Sequence, residues 1–144
     1  MRTAMQKRQP LYRRTGSVNT VLQKRDTAII RQVYKHRFLS SEQIIALIGG
    51  SRQGILRRLK ILFRTGYLDR PKEQVRSYPY RIGSGPMIYG IGNKGADLLA
   101  QEFKIPRAKV DWTSKNREIK WKNIDHALLT SQFMVCLEIA CRIY

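Results

Sequence analysis

Acidic residues are scarce in this sequence. Its 144 residues contain 10 Asp and Glu against 28 Lys and Arg, so the formal net charge is +18 at pH 7. Solubility alone requires a far smaller net charge, of about 2–8 for a small domain. The excess of cations therefore indicates a polyanionic partner.

Cysteine and histidine are also scarce, with two of each. Cys136 and Cys141 are five residues apart in a predicted helix and point about 140° apart around its axis, so they do not pair readily. This composition indicates neither a disulfide framework nor a zinc cluster, and it favours a reducing, cytoplasmic setting. His126 is interpreted as a partly buried structural histidine because the spacing typical of metal ligands is missing.

Catalytic motifs are absent. The chain has no GxxxxGK phosphate loop, no HExxH and no GxSxG. Asp125 and His126 are adjacent, and adjacent residues do not face each other on a helix. We expect a protein that is not an enzyme and that needs no cofactor, no metal and no small-molecule ligand.

Long apolar runs are missing as well. No run of 18 consecutive apolar residues occurs, which predicts that no segment spans a membrane. The first 25 residues hold seven cations, no acid and no apolar core, so they do not form a secretory signal. An organellar transit peptide has the same composition and stays open as a second interpretation.

Helix signals begin after the first 23 residues. Asp26 is a candidate N-cap for a helix that ends near His36, and a short extended piece follows at 38–39. Ser40 precedes Gln43 by three residues, which is the capping-box spacing and predicts a second helix.

A third helix is predicted from Ser51, its N-cap, to the residue before Gly66. Two glycines at 49–50 separate it from the second helix. Gly54, inside the helix, costs about 1 kcal/mol relative to Ala and indicates a close approach by the second helix or by a phosphate.

Two β-prone runs follow, YLD at 67–69 and IYGI at 88–91. The 18 residues between them contain three prolines and two glycines, which predicts a hairpin with a long, irregular tip. Asn93 is a candidate cap for a fourth helix.

These elements predict a mainly α fold with a small β-hairpin, in the α+β class. Three helices followed by a two-stranded ribbon are the order of a winged helix-turn-helix, here with an extra C-terminal helix. The predicted organisation is a flexible basic arm (1–23), a winged helix-turn-helix domain (24–103), a basic connector (104–120) and a C-terminal helix (121–144).

The third helix carries the clearest functional signal. Its apolar residues cluster within about 120°, and its polar and cationic residues lie on the opposite side. No acid occurs at 51–65, which favours DNA contact over a solvated surface. Gln53 and Arg57 are the candidates for reading bases in the major groove. The core set is Ile55, Leu56, Leu59, Leu62 and Phe63, and the DNA-binding set is Ser51, Arg52, Gln53, Arg57, Arg58, Lys60 and Arg64.

Two further basic segments are candidates for phosphate contact. The hairpin tip is interpreted as a wing that binds DNA, with a mobile loop as the alternative. The N-terminal arm is expected to add affinity without sequence specificity. The wing set is Arg70, Lys72, Arg76 and Arg81, and the arm set is Arg2, Lys7, Arg8, Arg13 and Arg14.

After Phe133 the last helix is apolar on nearly every side. A helix at the protein surface normally has a polar side that faces solvent, so this helix is expected to be covered on more than one side. We expect it to form a homodimer, with the start of a further domain as the alternative.

Three segments resemble the replication-relaxation family of bacterial plasmids, phages and integrative elements, over about residues 25–138: QIIALIGGSRQGILRRLKILFRTGYLDRP, IYGIGNKGADLL and IDHALLTSQFMVCLE. The family has a winged helix ending in a GYL step, a Y-x-L-T-x-x-G junction and a later helix with a histidine. Here Tyr89, Ile91 and Gly95 match the Tyr, Leu and Gly of the junction, with Ile for Leu, and Asn93, one residue after the Thr position, is taken for the Thr. His126 matches the histidine.

The resemblance implies double-stranded DNA binding in the replication, relaxation or transfer of a plasmid or mobile element. The motifs are shared in part with PadR-like and MarR-like repressors, so a transcriptional repressor is an alternative. A DNA-targeting module of a larger nuclease or relaxase and an RNA-binding protein are further alternatives.

Overall fold

The computed structural model describes residue 14, residues 19–76, residues 86–110, residue 115 and residues 119–144. Its elements are α1 (Lys24–His36), β1 (Leu39–Ser40), α2 (Ser41–Ile48), α3 (Arg52–Thr65), β2 (Leu68–Asp69), α4 (Glu73–Arg76), β3 (Ile88–Ile91), α5 (Asn93–Glu102), α6 (Arg107–Val110) and α7 (Trp121–Ile143). The described part of the chain is mostly helical with a small antiparallel sheet, which confirms the predicted α+β class.

Two predicted helix starts are confirmed. The Ser40 hydroxyl accepts a hydrogen bond from the backbone N–H of Gln43 at 3.2 Å, and the Gln43 side chain accepts from the Ser40 N–H at 3.0 Å. The Ser51 hydroxyl accepts from the N–H of Gly54 at 3.2 Å. In both cases a short polar side chain satisfies a helix donor that has no intrahelical partner.

Two other predicted caps are wrong. Gln23 is the N-cap of α1, and Asp26 lies in the first turn, where its carboxylate accepts a hydrogen bond from the Gln23 N–H at 2.8 Å. Gly92 is the N-cap of α5, and Asn93 is its first helical residue. A carboxylate in a first turn is stabilised by the same free N–H groups as an N-cap, so the composition of the turn does not separate the two positions.

The sheet has the strand order β1-β3-β2. The predicted hairpin is confirmed, since β2 pairs antiparallel with β3 and Leu68 lies opposite Ile91. The extended piece after α1 adds a third strand, in which Leu39 lies opposite Tyr89. The connection from β2 to β3 includes the helical turn α4, and residues 77–85 of the predicted tip lie outside the described residues.

Two glycines allow the start of α5 to pack directly on the chain after α3. Gly66 ends α3 with φ 92°, a left-handed conformation that favours glycine. A Cβ on Gly92 would lie 2.3 Å from the Gly66 carbonyl oxygen, and one on Gly95 would lie 2.2 Å from that of Tyr67. The GYL step and the strand-to-helix junction are therefore in backbone contact, which explains the glycines at 92 and 95, whereas Gly66 is explained by its positive φ.

One main core joins α1, α3, the sheet and α5. Its buried side chains include Ile29, Ile55, Leu59 and Leu99. The expectation that Leu56 belongs to this core is wrong, because 36% of its surface is exposed. The other four predicted core residues of α3 are buried: Ile55, Leu59, Leu62 and Phe63.

Helix α7 packs along one side against the rest of the chain. Ile124, Ser131 and Val135 are buried there, and the Ser131 hydroxyl donates to the carbonyl oxygen of Phe38 at 2.8 Å. Near its end, Arg142 donates to the carbonyl oxygen of Leu47 at 2.6 Å, in the last turn of α2. The other side of α7 is exposed and carries large apolar side chains: Leu129, Phe133, Met134, Leu137 and Ile143. Tyr144, the C-cap of the helix, is exposed as well.

The exclusion of a membrane span from the lack of an apolar run was too strong. An 18-residue window within Lys122–Ile143 has a mean hydropathy of 1.3, so this helix is long and apolar enough to cross a membrane by length and composition alone. The residues that interrupt its apolar runs are mostly small or neutral. They keep the runs short but lower the mean hydropathy of the window only slightly.

Candidate nucleic-acid interface

Helix α3 presents an exposed polar surface directly after a tight turn. Gly49 and Gly50 have φ values of 74° and 87°, so the turn between α2 and α3 requires glycine. Gln53, Arg57 and Lys60 are exposed on α3. Within the described part of the chain, no hydrogen bond or ion pair engages these three side chains. They are available to an external ligand.

Arg64 lies one turn beyond Lys60 and is half-buried. It occupies the last turn of α3, where the free carbonyl groups favour a cation. Ser51 is exposed at the other end, and its hydroxyl is used as the N-cap. Exposed or half-exposed polar side chains therefore occur along the whole helix.

Arg58 belongs to the same candidate set and lies inside the protein. Its Nε donates to Asp26 Oδ1 at 2.9 Å and its Nη2 donates to Asp26 Oδ2 at 2.5 Å. The Asp26 side chain is fully buried, and this hydrogen-bonded pairing raises the pKa of Arg58. The charge of Arg58 is neutralised within the fold, which removes it from the exposed surface.

Arg52 is exposed and paired. Its guanidinium forms a two-pronged ion pair with the carboxylate of Glu42 on α2, with one N–O distance of 2.7 Å. The hydrogen bonds from Arg52 lower the pKa of Glu42. This pair links α2 to the start of α3 and gives the charge of Arg52 a partner within the fold.

Arg25 is a candidate that the sequence interpretation missed. A Cβ on Gly54 would lie 3.3 Å from the Nη1 of Arg25. The close neighbour of Gly54 is therefore a cation from the first turn of α1, and the second helix does not supply it. Gly54 was the available signal, but no spacing rule connects it to a residue 29 positions earlier.

The wing candidates separate into two groups. Arg70 donates to the hydroxyl of Tyr89 at 3.1 Å and stacks 4.2 Å from the Phe63 ring centroid, so it packs against the sheet and α3. Burial is the main cause that raises the pKa of Tyr89. Lys72 is exposed. Arg81 and the side chain of Arg76 lie outside the described residues.

Among the arm candidates, Arg14 alone lies within the described residues. It forms an ion pair with Asp69 and donates to the carbonyl oxygens of Phe63 and Leu68 at 2.9 and 3.1 Å. It therefore binds the end of α3 and β2. The other four lie outside the described residues: Arg2, Lys7, Arg8 and Arg13.

The two histidines occupy different environments. His126 is exposed on α7, so the expectation of partial burial is wrong. The imidazole of His36 is buried with its Nε2 3.5 Å from Glu138 Oε2. Burial lowers the pKa of His36, and the Glu138 carboxylate acts in the opposite direction.

The architecture and the surface together define a basic α+β protein with an exposed cationic helix. The family model described as replication-relaxation matches residues 30–144, and the chain belongs to this family. Membership indicates a role in the replication or relaxation of plasmids or mobile elements. Comparisons with curated proteins and with solved structures gave no match.

Proposed function

We propose that residues 24–103 form a winged helix-turn-helix that binds double-stranded DNA, with α3 in the major groove. The order of α1, β1, α2, α3, β2 and β3 supports this interpretation, as does the three-residue turn before α3. In this proposal the protein acts in the cytoplasm during replication, relaxation or transfer of a plasmid or mobile element. It binds DNA and does not catalyse a reaction.

The observation that carries the proposal is the difference between neighbouring cations on α3. Arg58 has an internal carboxylate partner, whereas Arg57 and Lys60 have none among the described residues. Acids are too few in this chain to neutralise its cations, at 10 against 28. Phosphate groups of a nucleic acid supply the missing counter-charge, and binding releases their condensed counterions.

Base reading is assigned to Gln53 and Arg57. The two residues are four positions apart, so their side chains leave the same side of α3 one turn apart. Gln forms two hydrogen bonds with adenine and Arg forms two with guanine in the major groove. Both side chains are exposed. Lys60 and Arg25 flank them as phosphate contacts in the proposal.

Fluorescence anisotropy with duplex DNA from the protein's own locus and with random duplex tests the proposal. Arg57→Ala is expected to cost about 1–3 kcal/mol on the specific duplex and to relax the preference at one base position. Lys60→Ala is expected to weaken both duplexes about equally and to reduce the salt slope by about one.

Lys35→Ala is the control, because it also removes one positive charge but on the α7 side of the molecule. There the Lys35 Nζ lies 3.0 Å from Glu138 Oε2. Equal losses for Arg57→Ala and Lys35→Ala would contradict an α3 interface. If Arg57→Ala and Gln53→Ala lower affinity equally on specific and random duplex, α3 binds DNA without reading sequence. Tighter binding to single-stranded RNA than to either duplex would contradict the proposal as a whole.

A further inference from the structure

We propose that α7 pairs with α7 of a second copy of this chain. The exposed side of the helix carries an apolar stripe with successive spacings of four, three, four and three residues: Leu129, Phe133, Cys136, Ala140 and Ile143. This is the spacing of the seam in a two-helix coiled coil. Leu129, Phe133 and Ile143 expose 67%, 69% and 69% of their surface.

The stripe lies opposite the side of α7 that the rest of the chain covers. Ser131 and Val135 are buried against the domain, and Phe133 is 200° around the helix from Ser131. A second helix can therefore pack on the stripe while every contact of the covered side stays in place.

Charge favours a second copy as the occupant. Asp125 and Glu138 are the only formally charged residues between Lys122 and Arg142. Glu138 faces α1, where Gln32 and Lys35 donate to its two oxygens at 3.0 Å each. Two chains of charge +18 repel each other over most of their surface. The stripe is a long surface on which two copies approach without facing cations.

The same residues disfavour a lipid bilayer as the occupant. Helices that bind at a membrane surface typically flank their apolar side with Lys and Arg, and none occurs at 123–141. A helix spanning the bilayer would carry Glu138 and Gln132 into hydrocarbon and would break the bond of Gln132 to Gln43, 3.0 Å long.

Cys136 is the central residue of the stripe. A full overlap of two stripes, whether the helices run parallel or antiparallel, places Cys136 beside Cys136 of the second copy. Cys141 is about 140° around the helix from Cys136 and lies off the stripe. Both thiols are free and exposed, so the chain contains a reporter of the pairing and its matched control.

The first test is cross-linking of the full chain with a short bis-maleimide, added after the cysteine thiols have been reduced. The expected result is a covalent dimer for the wild type and for Cys141→Ser, and its loss for Cys136→Ser. A dimer that depends on Cys141, or that forms equally in both variants, would overturn the proposed register.

The second test is sedimentation velocity of the full chain at tens of micromolar, without DNA. Phe133→Glu is expected to raise the dimer dissociation constant at least about tenfold, with helical circular dichroism unchanged because Phe133 is exposed. Asn123→Glu, which adds the same charge to α7 before the stripe, is expected to leave the constant unchanged.

A wild-type monomer under these conditions would overturn the proposal, as would a dimer that Phe133→Glu does not weaken. Co-sedimentation of the wild type with phosphatidylcholine vesicles, lost in Phe133→Glu, would assign the stripe to a membrane instead. Because these tests contain no DNA, their failure leaves the proposed DNA-binding function untouched.

Discussion

Asp26 and Arg58 form a buried, two-pronged ion pair between the first turn of α1 and the middle of α3. Asp26 Oδ2 also accepts a hydrogen bond from the Gln23 N–H, so both of its oxygens are engaged. The Nη2 of Arg58 reaches further, to the Thr20 hydroxyl at 3.3 Å. One carboxylate thus fixes the start of α1 and the rotation of α3 about its axis, which sets the direction in which Arg57 points.

Replacing either member of this pair leaves a buried charge without a partner. We expect Arg58→Ala to lower the free energy of unfolding by about 3–5 kcal/mol. Arg57→Ala, one residue earlier and exposed, is expected to change it by less than about 0.5 kcal/mol. Urea unfolding followed by circular dichroism measures both. Equal effects in the two variants would contradict the buried placement of Arg58.

The two helical glycines at 54 and 95 are expected to respond oppositely to alanine. A Cβ at Gly95 would meet the Tyr67 carbonyl oxygen at 2.2 Å, and moving this backbone is expected to cost at least about 2 kcal/mol. At Gly54 the nearest atom belongs to the flexible end of Arg25, 3.3 Å away.

Gly54→Ala is therefore expected to gain about 0.5–1 kcal/mol from helix propensity. Thermal unfolding of the two variants beside the wild type measures the difference. A stabilised Gly95→Ala would show that the contact between β3–α5 and the GYL step is looser than 2.2 Å implies.

Glu138 is expected to make stability depend on acid pH. Its burial acts to raise its pKa, but hydrogen bonds from Gln32, Lys35 and Arg142 outweigh burial and lower the pKa to about 2. Because this is below the value of 4.5 for a free Glu, the stabilisation is complete above about pH 5 and is lost as the pH falls towards 2.

Glu138→Gln is expected to be less stable than the wild type by about 1–3 kcal/mol at pH 7, with the difference closing as the pH falls towards 2. Urea unfolding at several pH values measures it. Glu42→Gln is the control, because the Glu42–Arg52 pair is exposed, and a smaller pH effect is expected. A difference between Glu138→Gln and wild type that stays constant with pH would contradict the lowered pKa.

Arg14 is expected to affect stability more than DNA affinity. Its bonds to Asp69 and to the carbonyl oxygens of Phe63 and Leu68 hold the end of α3, so Arg14→Ala is expected to cost about 1–3 kcal/mol of unfolding free energy. The salt slope of DNA binding is expected to stay within about half a unit of the wild type. A full-unit decrease without loss of stability would return Arg14 to the phosphate-binding arm.

Local signals predicted most of the fold, and long-range pairing limited the prediction of the site. The caps at Ser40 and Ser51 and the stop at Gly66 each depend on residues within one turn, so the sequence displays them directly. The partner of Arg58 lies 32 residues away and that of Arg14 lies 55 residues away. Helical periodicity places a cation on a helix but does not reveal a distant acid. Periodicity alone therefore groups both arginines with the exposed cations and gives no signal for Arg25.

The contact of Gly92 and Gly95 with the backbone at 66–67 also constrains how this sequence can diverge. The obstructing atoms are carbonyl oxygens, which every amino acid carries, so no substitution at Gly66 or Tyr67 makes room for a side chain at 92 or 95. A larger residue there would require the strand and the helix to separate. These glycines can therefore change only together with the path of the chain, and a search for distant relatives can treat the two short segments as a single signature.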